Sequence, residues 1–200
     1  VSANFLRSFG KNNVEALLLA EARQYKGNGL SAYVKSLPFT ELPELSNGIP
    51  TNSPVGGWSS ASRSAGYVGR LRYDYDERYL AEFTGRYDGS YKFAGMAKNR
   101  WGFFPGVSAR WNISDEPFME PVRWLSMLSI RPSFGIVGNA PGGEGLFRSK
   151  YGTSGSYLGQ SGVAPTNIRL VDLRWEKKTS YQIGFDFGIF DNKIDGNVDI

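Results

Sequence analysis

The 200-residue sequence contains neither cysteine nor histidine. That excludes a disulfide scaffold, a Cys/His zinc site, a catalytic thiol and any histidine-based triad or proton shuttle. It does not fix the redox compartment. Long apolar runs are also missing. The longest, Ala16 to Ala20, is five residues, far short of the roughly 20 that a transmembrane helix needs. The 23 basic and 19 acidic residues are interspersed, with no run of five like charges. The sequence therefore offers no basic arm for nucleic acid and no acidic tail. The opening Val1-Ser2-Ala3-Asn4 has no basic n-region, no apolar h-region and no initiator Met, as expected of a processed or partial chain. None of these absences touches a membrane β-barrel, whose strands of about 9–11 residues are apolar only at alternate positions.

What is present is glycine (25 residues), aromatics (13 Phe, 11 Tyr, 5 Trp) and a pervasive period of two. Tyr67, Gly69, Leu71, Tyr73 and Tyr75 alternate with Val68, Arg70, Arg72 and Asp74. After the short polar turn Asp76-Glu77-Arg78, Tyr79, Ala81, Phe83, Gly85 and Tyr87 alternate with Leu80, Glu82, Thr84, Arg86 and Asp88. This predicts a β-hairpin with one apolar and one charged face. The same alternation predicts eight strands, at about 3–9, 12–24, 64–75, 78–88, 103–113, 125–137, 179–190 and 193–200. The stretch Val14 to Arg23, rich in Ala, Leu and Glu, also fits a short helix. Pro132 predicts an edge position or a bulge in its strand.

The connections between these strands alternate in length. Gly10-Lys11, Asp76 to Arg78 and Asp191-Asn192 are short, and Ser114 to Trp124 is of medium length. Tyr25 to Arg63, Gly89 to Trp101 and Asn139 to Lys177 are long. In an up-and-down antiparallel sheet, alternate connections share one end, so all the long ones fall together. Outer-membrane barrels sort their loops this way, and soluble sandwiches have no reason to. Tyr73, Tyr75 and Tyr79 near one end, and Trp101, Phe103 and Phe104 near the other, are candidate interfacial girdles.

Several blocks then resemble a known family. They are Asp76-Glu77-Arg78-Tyr79-Leu80, Arg86-Tyr87-Asp88-Gly89-Ser90, and Asn99 to Ala109 with its Arg-Trp-Gly-Phe-Phe-Pro core. Further blocks are Trp111 to Met119, Leu128 to Arg131, Ser133 to Asn139, Leu173 to Thr179 and Gln182 to Ile194. In this order and spacing they resemble SusC/RagA-type TonB-dependent transporters, nutrient importers of the Bacteroidetes outer membrane. The likeness is firm over residues 60 to 200 and looser before. Pro132 and Gly106 depart from many relatives, which touches local geometry only. The resemblance implies an all-β, 22-stranded transmembrane antiparallel barrel around a plug domain. At about 25 residues per strand, 22 strands need roughly 550 residues, so residues 1–200 are expected to be a piece of barrel wall, with the plug and the remaining strands absent. It further implies a SusD-like surface lipoprotein as lid, TonB acting through the plug, outer-membrane lipid around the wall, an oligosaccharide or peptide as substrate, and long loops outside the cell.

No catalytic constellation is expected. The paired acids Asp115/Glu116 and Glu41/Glu44 read as solvated turn carboxylates rather than a glycosidase pair. Asp74, Asp76 and Glu77 lack the spacing of a calcium loop. The Gly-rich stretch from Gly138 to Gly145 lacks the ending of a phosphate loop and reads as a flexible surface loop. No cofactor is called for. The informative group is the charged strand face. In a barrel, Arg70, Arg72, Glu82, Arg86, Arg110 and Arg131 are lumen-facing candidates, because Arg on the lipid face costs about 2–4 kcal/mol at mid-membrane. The competing reading is a soluble β-sandwich carbohydrate-binding module with Trp58, Trp101 and Trp175 as sugar platforms.

Overall fold

The computed structural model describes residues 1–34, 55–95 and 97–200. Glu41 and Glu44 lie outside the described residues. The chain divides into two compact units, Val1–Ala22 with Ser64–Ile200, and Arg23–Arg63. Ten strands follow in order: β1 (Ser2–Phe9), β2 (Asn12–Ala32), β3 (Val55–Tyr75), β4 (Tyr79–Ser90), β5 (Trp101–Asn112), β6 (Leu125–Asn139), β7 (Tyr151–Tyr157), β8 (Gln160–Pro165), β9 (Glu176–Ile189) and β10 (Ile194–Asp199).

Eight of them form one sheet in the order β1-β2-β3-β4-β5-β6-β9-β10, which leaves β1 and β10 as its two edges. The ladders with assigned register are antiparallel. The eight strands read from alternation are all present, and the Val14 to Arg23 stretch is strand, not helix. Two features differ from the sequence reading. The connection read as Tyr25 to Arg63 is shorter, because β2 runs on to Ala32 and β3 begins at Val55. The long connection after β6 carries its own hairpin, β7–β8, which Gly, Ser and Thr disguise as loop. In the smaller unit, the Ser31 hydroxyl donates to the Gly56 carbonyl at 3.4 Å, and a Cβ on Gly29 would collide with the Trp58 indole.

Pro132 is neither at an edge nor in a bulge. β6 lies between β5 and β9. Its ladder to β5 lapses opposite Pro132 and Arg131 and resumes in the same register at Trp111↔Ile130. Pro132 still faces Ile183 on the other side. The missing N–H costs one neighbour its partner without shifting the strand.

Register fixes the faces, since directly paired residues project to the same side. Tyr67↔Tyr87, Leu71↔Phe83 and Tyr73↔Ala81 share one face, which continues through Phe83↔Val107, Val107↔Phe134, Ile130↔Phe185 and Phe185↔Val198. Arg72↔Glu82, Glu82↔Ser108 and Arg131↔Gly184 share the other. The apolar face has no cover: Tyr67 is 57% exposed, Phe83 47% and Val198 53%. The buried apolar core among the described residues is small, consisting of Phe93, Phe104 and Leu173, and it lies away from that face. A single sheet with this pattern is not a sandwich, whose two inner faces would cover each other.

Candidate functional site

The charged face is the first element of the site. Arg70 on β3 pairs with Glu15 on β2. Arg86 on β4 reaches Glu21 at 3.1 Å and Asp88 at 3.0 Å. Asp186 on β9 is a hub: Arg131 binds it at 2.7 Å, Arg110 approaches at 3.5 Å, and the Ser129 hydroxyl donates at 2.9 Å. Arg131 also reaches Asp199 on β10 at 3.3 Å. It can do so because Gly184 stands opposite it; a Cβ there would come within 2.9 Å of the guanidinium. Apart from Arg86–Asp88 within β4, the partners are 55 to 76 residues apart in sequence, so each of these pairs joins separate strands. Arg72 and Glu82 oppose each other across β3–β4 without an ion pair among the described residues. They border a polar hollow of about 350 Å³ that also touches Arg110, Arg131, Gln182 and Asp199.

At the turn end, the hairpin Tyr75 to Tyr79 passes through Asp76 and Glu77, both at φ 56°. This left-handed region is tolerated by Asp more readily than by Glu. The Asp74 carboxylate accepts from the Glu77 N–H at 3.1 Å. Asp76 accepts from Lys11 at 2.7 Å and from Arg78, and its N–H donates to the Lys11 carbonyl at 2.7 Å. Glu116, expected to be a solvated turn acid, is instead buried. Its carboxylate accepts from the Tyr79 hydroxyl, from the Trp111 indole at 3.0 Å, and pairs with Arg78 at 3.5 Å. Lys11 and Arg78 hold the Asp76 carboxyl below its usual range. The Tyr79 and Trp111 hydrogen bonds, with Arg78, hold Glu116 below its own. The Asp74 carboxylate is thus engaged by the Glu77 N–H and the Asn13 amide and that of Asp76 by cations, and no group of three or more acids placed to hold a metal occurs among the described residues.

At the loop end the connections pack on the charged face. Phe104 belongs to that face, opposite Arg86. Trp175 meets it edge-on at 5.3 Å between ring centroids, and Phe93 lies 5.0 Å from Trp175. The Asn99 amide donates to the Leu173 carbonyl at 2.8 Å, and Lys92 to the Pro141 carbonyl at 2.7 Å. Trp101 is on the opposite, apolar face, stacked on Tyr87 at 5.0 Å and near Tyr67 at 6.1 Å. Trp101 and Trp175 therefore cannot form a common sugar platform, and Trp58 lies in the other unit.

Aromatic clusters mark both ends of the apolar face. Tyr75, Tyr79 and Trp111 sit at the turn end, and Tyr67, Tyr87 and Trp101 at the loop end. Tyr79 and Tyr87 are eight residues apart on β4. That is about 27 Å of strand, or roughly 20 Å at a tilt near 40°, comparable with the ~25 Å apolar band of such barrels. The sequence pattern located the lumen-facing candidates on one face but missed the acids that pair with them on β2. Glu15 and Glu21 share the parity of that face, which was the available signal. For Glu116 no local signal existed.

A two-faced, uncovered antiparallel sheet with aromatic ends and cross-strand ion pairs on its polar side is a segment of a transmembrane β-barrel wall. More narrowly, it resembles a barrel segment of the SusC/RagA type of TonB-dependent receptor. The whole chain is 28% identical to the TonB-dependent receptor SusC of Bacteroides thetaiotaomicron over 212 aligned residues, 20% of that protein. It is 34% identical over 131 residues to TonB-dependent receptor P39 of Formosa agariphila, covering 65% of this chain and 12% of that one. The fold matches the structure of the RagAB peptide transporter with TM-score 0.87 and 25% identity, covering 99% of this chain and 22% of that one. No family model matches the chain. The chain spans about a fifth of the length of SusC. The relatives are receptors and transporters, not enzymes.

Proposed function

We propose that these residues form part of the wall of an outer-membrane, TonB-dependent nutrient importer. The observation that carries this is the uncovered apolar face between two aromatic clusters, backed by a face whose arginines are largely paired. Contiguous exposed apolar surface on this scale has no place in water, and hydrocarbon is the environment that suits it. The apolar face then meets lipid, and Arg70, Arg72, Glu82, Arg86, Arg110 and Arg131 face the lumen. The loop end lies outside the cell, and the short turns lie in the periplasm. The likeness to SusC and to RagAB supports an oligosaccharide or a peptide as substrate, a SusD-like surface lipoprotein closing the loop end, and TonB supplying energy through a plug domain. Transport of this kind needs no catalytic residue in the wall.

The test uses the full-length protein with one arginine placed on either face of β4. Phe83 lies midway between Tyr79 and Tyr87, so Phe83→Arg puts a charge at mid-membrane at a cost of about 2–4 kcal/mol. Thr84 faces the other way, between Gly106 and Arg70, on the charged face, where an arginine does not meet the hydrocarbon. Heat-modifiable mobility of the outer-membrane fraction should fall for Phe83→Arg and stay normal for Thr84→Arg. Equal effects would refute the assignment of faces.

A further inference from the structure

The two ends of the sheet differ in charge as well as in loop length. The two loop-end connections of the larger unit, residues 91–100 and 140–175, contain seven basic residues and two acidic ones. Lys92, Lys98 and Arg100 lie in the first; Arg148, Lys150, Arg169 and Arg174 lie in the second. The turn-end connections, residues 10–11, 76–78, 113–124 and 190–193, contain four basic residues and six acidic ones. Neutralisation differs in the same sense. Among the described residues, the wall and the turn end hold nearly all the ion pairs, and the two loop-end connections hold one, Arg174–Asp172 at 2.8 Å. Lys92, Arg100 and Lys150 are spent on backbone carbonyls. Arg148 lies over the Phe147 ring at 5.1 Å and donates to the Tyr91 hydroxyl at 2.6 Å. These contacts orient the cations and leave their charge uncancelled. Lys98 and Arg169 have no hydrogen bond or ion pair among the described residues.

Position gives this charge a direction. The Phe93–Phe104–Trp175 core draws both connections onto the charged face of the sheet, not onto the apolar one. If the loop end is outward and the charged face lumenal, as proposed above, the unneutralised cations stand over the entrance to the lumen. A funnel of one sign raises the local concentration of opposite charge and speeds its capture by about 10–10³-fold. The geometry points to an anionic substrate: an oligomer bearing several carboxylates, gathered at the mouth by the cations of 91–100 and 140–175. This deepens the importer reading and rests on it.

The full-length protein, purified in detergent, is titrated with an oligogalacturonate, a glutamate-rich peptide and a neutral malto-oligosaccharide of matched length, at low and high salt. At low salt at least one anionic oligomer should bind about tenfold or more tightly than the neutral one. That advantage should collapse at high salt and in the double variant Lys98→Glu/Arg169→Glu. Whichever anionic oligomer shows it identifies the backbone that carries the carboxylates. The turn-end control Lys193→Glu should keep it. The inference is overturned if the neutral oligomer binds as tightly, if neither anionic oligomer binds, or if the double reversal changes nothing. Failure of the importer reading looks different: the wild-type chain would not assemble in the outer membrane at all.

Discussion

At the turn end, Lys11, Asp76, Arg78 and Glu116 form a linear chain of alternating charges, with Tyr79 and Trp111 donating to its last member. At the loop end, the connections are fastened by apolar contact among Phe93, Phe104 and Trp175, while their cations are left largely uncancelled. Each arrangement follows from what surrounds it. Short turns cannot bury much apolar surface, so they gain order from hydrogen-bonded charge pairs. Long connections have enough chain to fold a small core of their own and are then free to present charge outward. The first end is built to be finished, and the second to meet something.

The largest expected effect that would sharpen this contrast is at the loop end. Phe104→Ala removes the base of the small core, a class of change that costs about 3–5 kcal/mol. Limited proteolysis of the assembled protein should cut within 91–100 and 140–175 much faster, while the turn end stays protected. Simultaneous loosening of both ends would mean that they are not independent.

Glu116→Gln should do the reverse. Glutamine keeps the volume, but loses the charge that pairs with Arg78 and half of the carboxylate's acceptor capacity. Backbone exchange in 113–120 and at the Asp76–Arg78 turn should rise, with the loop-end core unchanged.

Acid should separate the two ends without mutation. Asp76 and Glu116 have folded values below their unfolded ones. Their contribution is therefore complete above the ordinary carboxylate range, near about pH 4. It is lost as pH falls through the depressed folded values. Phe93, Phe104 and Trp175 do not titrate. Exchange at the turn end, corrected for intrinsic rate, should accelerate below about pH 4 ahead of the loop-end core. Parallel acceleration at both ends would break the comparison.

The smallest effect is expected from Lys11→Ala. Its ammonium is well exposed, and exposed pairs contribute little. Arg78 remains on Asp76, so thermal stability should be unchanged within error, and a large loss would show the network to be more cooperative than its geometry suggests.

The sequence alone determined the eight strands of the main sheet, their two faces and the sorting of connections by length, but not the β7–β8 hairpin. The first three are consequences of a period of two and of turn residues a few positions apart, which any window of ten residues contains. It also carried the family blocks. Tertiary structure decided the rest, because the deciding contacts join residues far apart along the chain. Glu116 reads locally as a wet turn acid and is buried where Tyr79 and Arg78, 37 and 38 residues earlier, meet it beside Trp111. Phe104 reads as one more strand aromatic; its neighbour Trp175, 71 residues on, makes it the base of a core on the charged face. Pro132 looks like an edge residue until two flanking strands are seen to keep its register. Alternation says which side a residue faces, but only the folded chain says what waits for it there.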